Sequence, residues 1–341
     1  MSAATNIRVA VVGCGAFGRN HARVYRQLQQ DGAGVEFVAV VDSDPQRAKS
    51  LAAEFGTQFL GSIGDLRGKI DAASVAVPTV HHLSTAREII ESGADVLIEK
   101  PLASTLAEAD ELVAVASRTG RVAQVGHLER FNPAVIATLP LVTRPMFFEV
   151  HRLSVFTPRS LDVDVVMDLM IHDLDVVLSL VKSPVREVHA VGLPVISHKV
   201  DIANVRIEFE TGCVANFTAS RVSTEPVRKL RFFQPHEYIS IDYARQDVIS
   251  IRVDERAAAA LLRGEAPPAK VGPAPGIAIN KPKVEAKEPL RTEIEAFLAS
   301  VRSRRPPGVS LEDGRAALAL ALQINEAILK HHRRAGLSQI T

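Results

Sequence analysis

The sequence predicts an α/β protein in two parts: a parallel sheet covered by helices, then an α+β domain with an open, largely antiparallel sheet. Up to about Val125, short valine-rich runs alternate with helical stretches, the order typical of βαβ units. After that point the apolar pattern has period two, as in Val205–Glu210 and Ile249–Asp254, which is typical of strands with one wet face. A length of 341 residues is enough for two separate cores. We therefore predict domains over residues 1–125 and 126–341, with C-terminal helices that could pack back on the first domain.

The elements of the first domain follow from its apolar periodicity. Strands are predicted where apolar residues form continuous runs: Ile7–Val12, Glu36–Val41, Ala73–Val77, Asp95–Ile98 and Val122–Val125. Helices are predicted between them: Asn20–Gln29, Pro45–Glu54, Ser84–Ser92 and Leu106–Ser117.

The second domain mixes alternating strands with a few helices. Its further strands are predicted at Met146–Leu153, Arg186–Gly192, Cys213–Arg221 and Leu230–Asp242. Helices are predicted at Val163–Leu180, which would cover the buried sheet face, and at Leu290–Ser303 and Leu311–Ala335. The Pro-, Gly- and Ala-rich segment Arg263–Lys287 is predicted to be a long loop.

The composition excludes several classes of protein. A formal net charge of +1 gives no general attraction to nucleic acid. The two cysteines, Cys14 and Cys213, are too few for a disulfide framework or a thiolate metal cage, and no metal-ligand set is visible. Residues 1–8 carry no apolar signal core, and no stretch is apolar enough to span a membrane. We expect a cytoplasmic protein without membrane insertion.

A glycine-rich turn follows the first predicted strand and opens the first helix. Its sequence is Gly13-Cys14-Gly15-Ala16-Phe17-Gly18. The first glycine permits a tight turn, the second lets a pyrophosphate approach the backbone, and the third allows close packing of helix on strand. In this context the turn predicts a Rossmann domain that binds a dinucleotide, with the phosphates at the helix N-terminus.

An acidic residue ends the second predicted strand, where it could accept hydrogen bonds from the adenosine ribose. This residue is Asp42, followed by Ser43 in the same loop. A carboxylate there repels a 2′-phosphate, which favours NAD over NADP, although Arg47 lies nearby. Asp42 could instead cap the helix at Pro45, a role that Ser43 or Asp44 could also fill.

Residues after the later strands should reach the same edge of the sheet, because ligands bind at the carboxyl ends of parallel strands. Glu99 and Lys100 follow one such strand, and Lys100 would lie beside the nicotinamide, where an ammonium stabilises a developing alkoxide. A solvated loop lysine is the alternative. The remaining cofactor contacts are predicted after the preceding strand, at Val77, Pro78, Thr79 and His82.

Asp168 and His172 stand four residues apart in a predicted helix, so both side chains would share one face. An imidazole can take a hydroxyl proton at neutral pH, and a nearby carboxylate can orient it or bind a substrate hydroxyl. Taken alone, the pair is also compatible with an ordinary surface contact.

Together these motifs resemble the glucose–fructose oxidoreductase/inositol dehydrogenase family, written Gfo/Idh/MocA. The resemblance rests on the glycine-rich turn, Glu99-Lys100-Pro101, Arg130-Phe131-Asn132-Pro133 and Asp168-x-x-x-His172. It implies oxidation or reduction of a sugar or cyclitol carbinol. Lys100 and His172 would take the acid/base and oxyanion roles, and Asp168 would position the reacting hydroxyl. Which of Lys100 and His172 takes the proton stays open. The family also implies an open sheet face with oligomer contacts, which suggests a homodimer or homotetramer.

Two longer strings are similar to one branch of that family, whose bacterial members oxidise the 3-hydroxyl of UDP-N-acetylglucosamine. They are Gly126–Val135 and Asp168–Asp175. In that setting a pyridoxal-phosphate aminotransferase uses the 3-keto sugar to make a diamino sugar for lipid A or surface polysaccharide. The implied substrate contacts are His127, Arg130, Phe131, Asn132, Arg152 and Arg159, of which the arginines suit a diphosphate.

Two alternatives stay open. The same chemistry could act on a free sugar or inositol, without need of the arginines. The fold could also serve as a non-catalytic NAD or sugar sensor, although a sensor has no need of Lys100 together with Asp168 and His172.

Overall fold

The chain folds into two units, each built on its own sheet. The computed structural model describes residues 6–157, 163–254, 259–260, 263–264 and 277–337. The first unit contains the chain up to Phe131 together with Glu288–Ala319, and the second contains Asn132–Lys287 and the chain from Leu320 onward. The predicted fold class, a Rossmann domain followed by an α+β domain, is confirmed.

The first unit contains a parallel sheet with helices packed against it. Its strands are β1 (Ile7–Val12), β2 (Val35–Val41), β3 (Gln58–Leu60), β4 (Ala72–Val75), β5 (Asp95–Glu99) and β6 (Ala123–Gly126). Its helices are α1 (Ala16–Gln30), α2 (Pro45–Phe55), α3 (His82–Glu91), α4 (Leu106–Thr119) and, after the second unit's sheet, α7 (Pro289–Ser303). The strand order β3-β2-β1-β4-β5-β6 brings the carboxyl ends of β1, β4 and β5 side by side. The sequence did not reveal β3, because its three residues form no buried apolar run.

The second unit contains a mixed sheet. Its strands are β7 (Phe147–Leu153), β8 (Val185–Leu193), β9 (Ile202–Phe209), β10 (Val214–Ser220), β11 (Val227–Gln234), β12 (Glu237–Asp242), β13 (Asp247–Val253) and β14 (Ile277–Asn280). Its helices include α5 (Pro133–Thr138) and α6 (Ile171–Val181), while α8 (Leu311–Arg334) runs through the residue ranges of both units. The pairs are antiparallel except β7–β10, and burial alternates along β7 and β9, as the period-two pattern predicts.

Two predicted elements of this unit were wrong. The expected strand Leu230–Asp242 is a hairpin, because Pro235 has no N–H for a sheet ladder and His236 adopts a left-handed φ of 62° between β11 and β12. The expected loop Arg263–Lys287 contains β14, which pairs with β13. Residues 265–276 of that segment lie outside the described residues.

The predicted helix Val163–Leu180 is irregular at its start. A π-helical turn, Val166–Met170, precedes α6, and Asp164 accepts hydrogen bonds from the backbone N–H groups of Val166 and Met167, both at 2.9 Å. Because a π turn has i→i+5 hydrogen bonds, the α-helical spacing assumed for Asp168 and His172 does not hold at Asp168. Such turns often occur at functional sites.

No helix among the described residues is both long and apolar enough to cross a bilayer.

Candidate active site

The glycine-rich turn between β1 and α1 has a different constraint at each glycine. Gly13 has a φ of +95°, and a Cβ there would lie 2.4 Å from the Ala76 carbonyl oxygen. A Cβ on Gly18 would lie 1.7 Å from the Gly13 oxygen, whereas a Cβ on Gly15 would point into open space. The turn therefore needs glycine for its own conformation at Gly13 and Gly18, and leaves room for a phosphate at Gly15.

Asp42 lies directly after β2 and holds this turn. Its Oδ2 accepts a hydrogen bond from the Cys14 N–H at 2.6 Å, and its Oδ1 accepts one from the Asp44 N–H at 2.8 Å. The cap of α2 is Asp44, whose side chain accepts from Gln46 and Arg47, so Asp42 does not fill that role. Only 5% of the Asp42 side chain is exposed, and Arg47 lies 3.6 Å from its Oδ1.

A cleft of about 800 Å³ opens at this edge of the first unit's sheet. It is lined by most of the residues predicted to bind the cofactor: Gly13, Gly15, Ala16, Phe17, Asp42, Ser43, Val77, Pro78, Thr79, His82, Glu99 and Lys100. Cys14 and Gly18 do not line it; the Cys14 side chain is buried, and its backbone N–H serves to hold Asp42. The sequence missed Gly61, Ser62 and Ile63, which also line the cleft, because they follow the unpredicted β3.

The position of Asp42 leads to a prediction about cofactor choice. We expect Asp42→Ala to weaken NADH binding about tenfold or more and to narrow the preference over NADPH, because a hydrogen-bonded charge is worth about 1.5–3 kcal/mol. Titration with NADH and NADPH, followed by nucleotide fluorescence, measures both affinities. Asp44→Ala is the matched control: it loses the α2 cap but should keep the wild-type preference. A wild-type preference for NADPH would contradict the assignment.

His82 is buried beside the cleft and connects two of its walls. Its Nδ1 lies 2.9 Å from the Pro101 carbonyl and its Nε2 lies 3.0 Å from the Val77 carbonyl. Burial lowers the pKa of His82, against the pull of these carbonyls, so the neutral ring donates to one of them. This geometry favours a role in fixing the two loops. The peptide bond between Lys100 and Pro101 is cis.

The string after β6 is mostly buried, which changes the interpretation of its residues. Phe131 is 7% exposed, and its ring packs so closely on Gly308 that a Cβ added to that glycine would lie 3.0 Å from a ring carbon. Asn132 caps α5 through Ala134 N–H and donates to the Tyr243 carbonyl. Both side chains are thus used in packing and capping, and their contact with a substrate stays a prediction. The Arg130 side chain is 19% exposed, with its Nη2 3.4 Å from the Gly308 carbonyl.

His127, in the same string, is a buried imidazole near Lys100. Burial, together with the positive charges of Lys100 and Arg130, lowers its pKa to about 3. His127 is therefore neutral at physiological pH. With 1% of its surface exposed, it is enclosed and does not line the cleft, and its role as a substrate contact stays a prediction.

This burial predicts a pH-dependent stability. In the unfolded chain a histidine titrates near pH 6.5, whereas folded His127 stays neutral down to about 3. Between these values the unfolded state binds the extra proton, so the free energy of unfolding falls as pH drops below about 6.5, by at most ~1.4 kcal/mol per pH unit. Urea unfolding at about pH 7 and about pH 5 measures the loss. His127→Gln should reduce it, and exposed His189→Gln should not; equal losses in all three proteins would contradict this account.

Arg152, on β7, is also buried and is already paired. Its Nε and Nη2 donate to Asp173 of α6 at 2.6 and 2.9 Å, and its guanidinium stacks over Tyr243 at 5.3 Å. The Arg152 side chain is 4% exposed and that of Asp173 is 2% exposed. The guanidinium fork is thus engaged by a carboxylate inside the unit, which argues for a structural role; the predicted contact of Arg152 with a diphosphate stays a prediction. Arg159 lies outside the described residues.

Asp168 and His172 lie in the second unit, on the π turn and the first turn of α6. Both side chains are half-buried, whereas the neighbouring Asp173 and Asp175 are 1% exposed. The segment therefore keeps the predicted acid and imidazole within reach of solvent while its other carboxylates are enclosed. Such partly accessible groups can exchange protons with a ligand.

Comparisons with known proteins cover nearly the whole chain. Residues 7–127 match a family described as "Oxidoreductase family, NAD-binding Rossmann fold", and residues 145–234 match the "GFO/IDH/MocA C-terminal domain". A UDP-N-acetylglucosamine 3-dehydrogenase from Acidithiobacillus ferrooxidans is 34% identical over 324 residues, which are 95% of this chain and 97% of that enzyme. A solved structure of that dehydrogenase aligns with a TM-score of 0.84 at 32% identity, covering 95% and 98% of the two chains. An inositol 2-dehydrogenase from Saccharopolyspora erythraea is 27% identical over 331 residues, 92% of each chain.

Proposed function

This chain belongs to the GFO/IDH/MocA family of NAD-binding oxidoreductases, and from that premise we propose that it oxidises the 3-hydroxyl of UDP-N-acetylglucosamine to a ketone. The predicted family and its NAD cofactor are confirmed by the family match. The observation that supports the substrate is the 34% identity to a UDP-N-acetylglucosamine 3-dehydrogenase over 95% of this chain. The inositol dehydrogenase match is lower, at 27%.

The proposed reaction breaks the C3–H and O–H bonds of the carbinol and forms a C=O bond. NAD, when bound, accepts the hydride from C3. The chain itself must hold the hydroxyl, take its proton and stabilise the oxygen while negative charge develops on it. We propose that Lys100 and His172 share the proton-transfer and oxyanion roles and that Asp168 orients the hydroxyl.

In this proposal the cofactor is bound by the glycine-rich turn, by Asp42 and by the loop at Val77–Thr79. Gly15 leaves space for the pyrophosphate at the α1 N-terminus, and the carboxylate of Asp42 is a hydrogen-bond acceptor for the ribose. For the substrate diphosphate, Arg130 is the remaining described candidate among the predicted arginines, since Arg152 is paired with Asp173.

The test is an assay with NAD and a panel of UDP-N-acetylglucosamine, free N-acetylglucosamine, glucose and myo-inositol, followed by NADH absorbance. A pyridoxal-phosphate aminotransferase with an amino donor is added in parallel, because removal of the ketone pulls an unfavourable equilibrium forward. We expect turnover of UDP-N-acetylglucosamine and of no other compound in the panel. Turnover of the free sugars or inositol at equal rates would support the alternative substrate class. Cofactor binding without turnover of any compound would support a sensor.

The proposal carries expectations about partners. We propose cytoplasmic action, with an aminotransferase consuming the product for lipid A or surface polysaccharide synthesis, and a homodimer or homotetramer as the assembly. The open face of the second unit's sheet supports self-association, because Phe147, Phe233 and Tyr238 form an aromatic row there with centroid distances of 5.6 and 5.1 Å. Light scattering of the purified protein measures its mass; a monomer at all concentrations would contradict this expectation.

A further inference from the structure

A chain of buried polar side chains crosses the core of the first unit beneath the cleft. The Tyr25 hydroxyl lies 2.8 Å from the Ser74 Oγ, which lies 2.9 Å from the His21 Nδ1. The His21 Nε2 lies 2.8 Å from the Glu99 Oε1. Tyr25 and Ser74 have no exposed surface, His21 is 1% exposed and Glu99 is 8% exposed. These four hydrogen-bonded side chains are therefore enclosed in the core, and Glu99 is the one among them that lines the cleft.

The chemistry of these four side chains indicates which of them donate and which accept hydrogen bonds. Burial favours the protonated form of Glu99, but the hydrogen bond and the electrostatic interaction with His21, together with the charge of Lys100, outweigh it and hold the pKa of Glu99 below its usual value. Glu99 is thus a carboxylate and can only accept, so the His21 Nε2–H donates to it. Burial also raises the pKa of Tyr25, so its hydroxyl keeps its proton.

With the His21 Nε2–H donating to Glu99, the other hydrogen bonds of this series can all run in one direction. Tyr25 donates to Ser74, Ser74 donates to the His21 Nδ1, and the His21 Nε2–H donates to Glu99. All dipoles point toward the carboxylate, and hydrogen bonds aligned in this way strengthen one another in a low-dielectric interior. The arrangement fixes both the charge and the orientation of Glu99.

Glu99 in turn lies against Lys100. Its Oε2 accepts from the Lys100 backbone N–H at 3.3 Å, and the Lys100 charge acts on the carboxylate. The other titratable groups here are His82 of α3, which interacts with Glu99, and His127 after β6, which interacts with Lys100. Both histidines are buried and have lowered pKa values, and Glu99 is a negative charge that acts on Lys100.

We propose that Ser74 and His21 are positioning residues that hold Glu99 as a fixed anion beside Lys100, and that this anion sets the pH range in which Lys100 works. The inference rests on the proposed function only for the catalytic role of Lys100. The electrostatic coupling of Glu99 to Lys100 can be measured without any substrate.

The experiment follows the titration of Lys100 by carbon-13 NMR of the reductively methylated full-length protein, with Lys100→Arg to assign the signal. We expect Glu99→Gln to move the midpoint to lower pH by about one unit or more, because loss of an adjacent opposite charge disfavours the ammonium. Ser74→Ala should move it in the same direction, since His21 loses the hydroxyl that holds its Nδ1 and no longer fixes the Glu99 carboxylate. Tyr25→Phe is the matched control: it also removes a buried hydroxyl, but Ser74 still donates to His21 and the midpoint should stay.

In the pH profile of kcat, Glu99→Gln should move the limb that reports Lys100 to lower pH by the same amount. Thermal unfolding of this variant should stay cooperative. An unchanged midpoint in Glu99→Gln would overturn the proposal, as would an equal shift in Tyr25→Phe. Nitrogen-15 NMR of the unmodified protein supplies a test that needs no variant: His21 should be the Nε2–H tautomer, and the Nδ1–H tautomer would refute the chain. If no sugar is turned over but the midpoint shifts, the proposed function fails and the coupling stands.

Discussion

Replacing Lys100 by alanine should lower kcat by about 10³-fold, while the affinity for NADH changes little. The reason is that, in the proposed reaction, the Lys100 side chain acts on the reacting oxygen, and both general acid–base and oxyanion contributions are typically worth 10²–10⁴-fold. The glycine-rich turn and Asp42, which we assign to the cofactor, stay intact in this variant. Steady-state assays with NAD and UDP-N-acetylglucosamine measure the loss, and NADH fluorescence measures binding.

The matched control is Lys69→Ala, which removes an exposed lysine of the same unit outside the cleft. It should keep wild-type kcat.

His172→Ala should behave like Lys100→Ala, and comparison of their pH profiles would identify the proton acceptor, because only loss of the acceptor removes the acidic limb of the oxidation. Wild-type turnover in Lys100→Ala would refute the catalytic assignment.

Breaking the Arg152–Asp173 pair should cause the largest loss of stability. Both side chains are buried, and removal of one partner leaves an uncompensated charge in the core of the second unit. We therefore expect Arg152→Ala and Asp173→Ala each to lower the free energy of unfolding by about 3 kcal/mol. Denaturant unfolding of both variants checks the value, with exposed Arg206→Ala of β9 as the control that should stay close to wild type.

The same pair of variants distinguishes a structural arginine from a substrate ligand. If Arg152 only supports the fold, the two substitutions should affect stability and the KM for the UDP-sugar to the same extent. A stable Arg152→Ala protein with a strongly raised KM, beside an unaffected Asp173→Ala protein, would instead restore the diphosphate role that the sequence suggested.

Much of the first unit could be predicted because its signals are local. The strand β1 and the turn at Gly13–Gly18 follow from a buried valine run and from glycines whose backbone geometry admits no Cβ at Gly13 and Gly18. The cap of α2 was narrowed to three neighbouring residues, and the structure selected Asp44. By contrast β3 carries no apolar run, and the hairpin between β11 and β12 was hidden inside an apolar pattern that continues across Pro235.

The sequence by itself determined the Rossmann domain, the NAD site at its edge and the position of Lys100 after β5, because chain order and strand polarity are enough to bring these residues to one edge. Only the tertiary structure decided which polar residues are buried. It paired Arg152 with Asp173, buried His127, and joined His21 to Glu99 across 78 residues of sequence. The physical reason is that desolvation and hydrogen bonding depend on neighbours that strand order brings together, and a linear pattern contains no information about them.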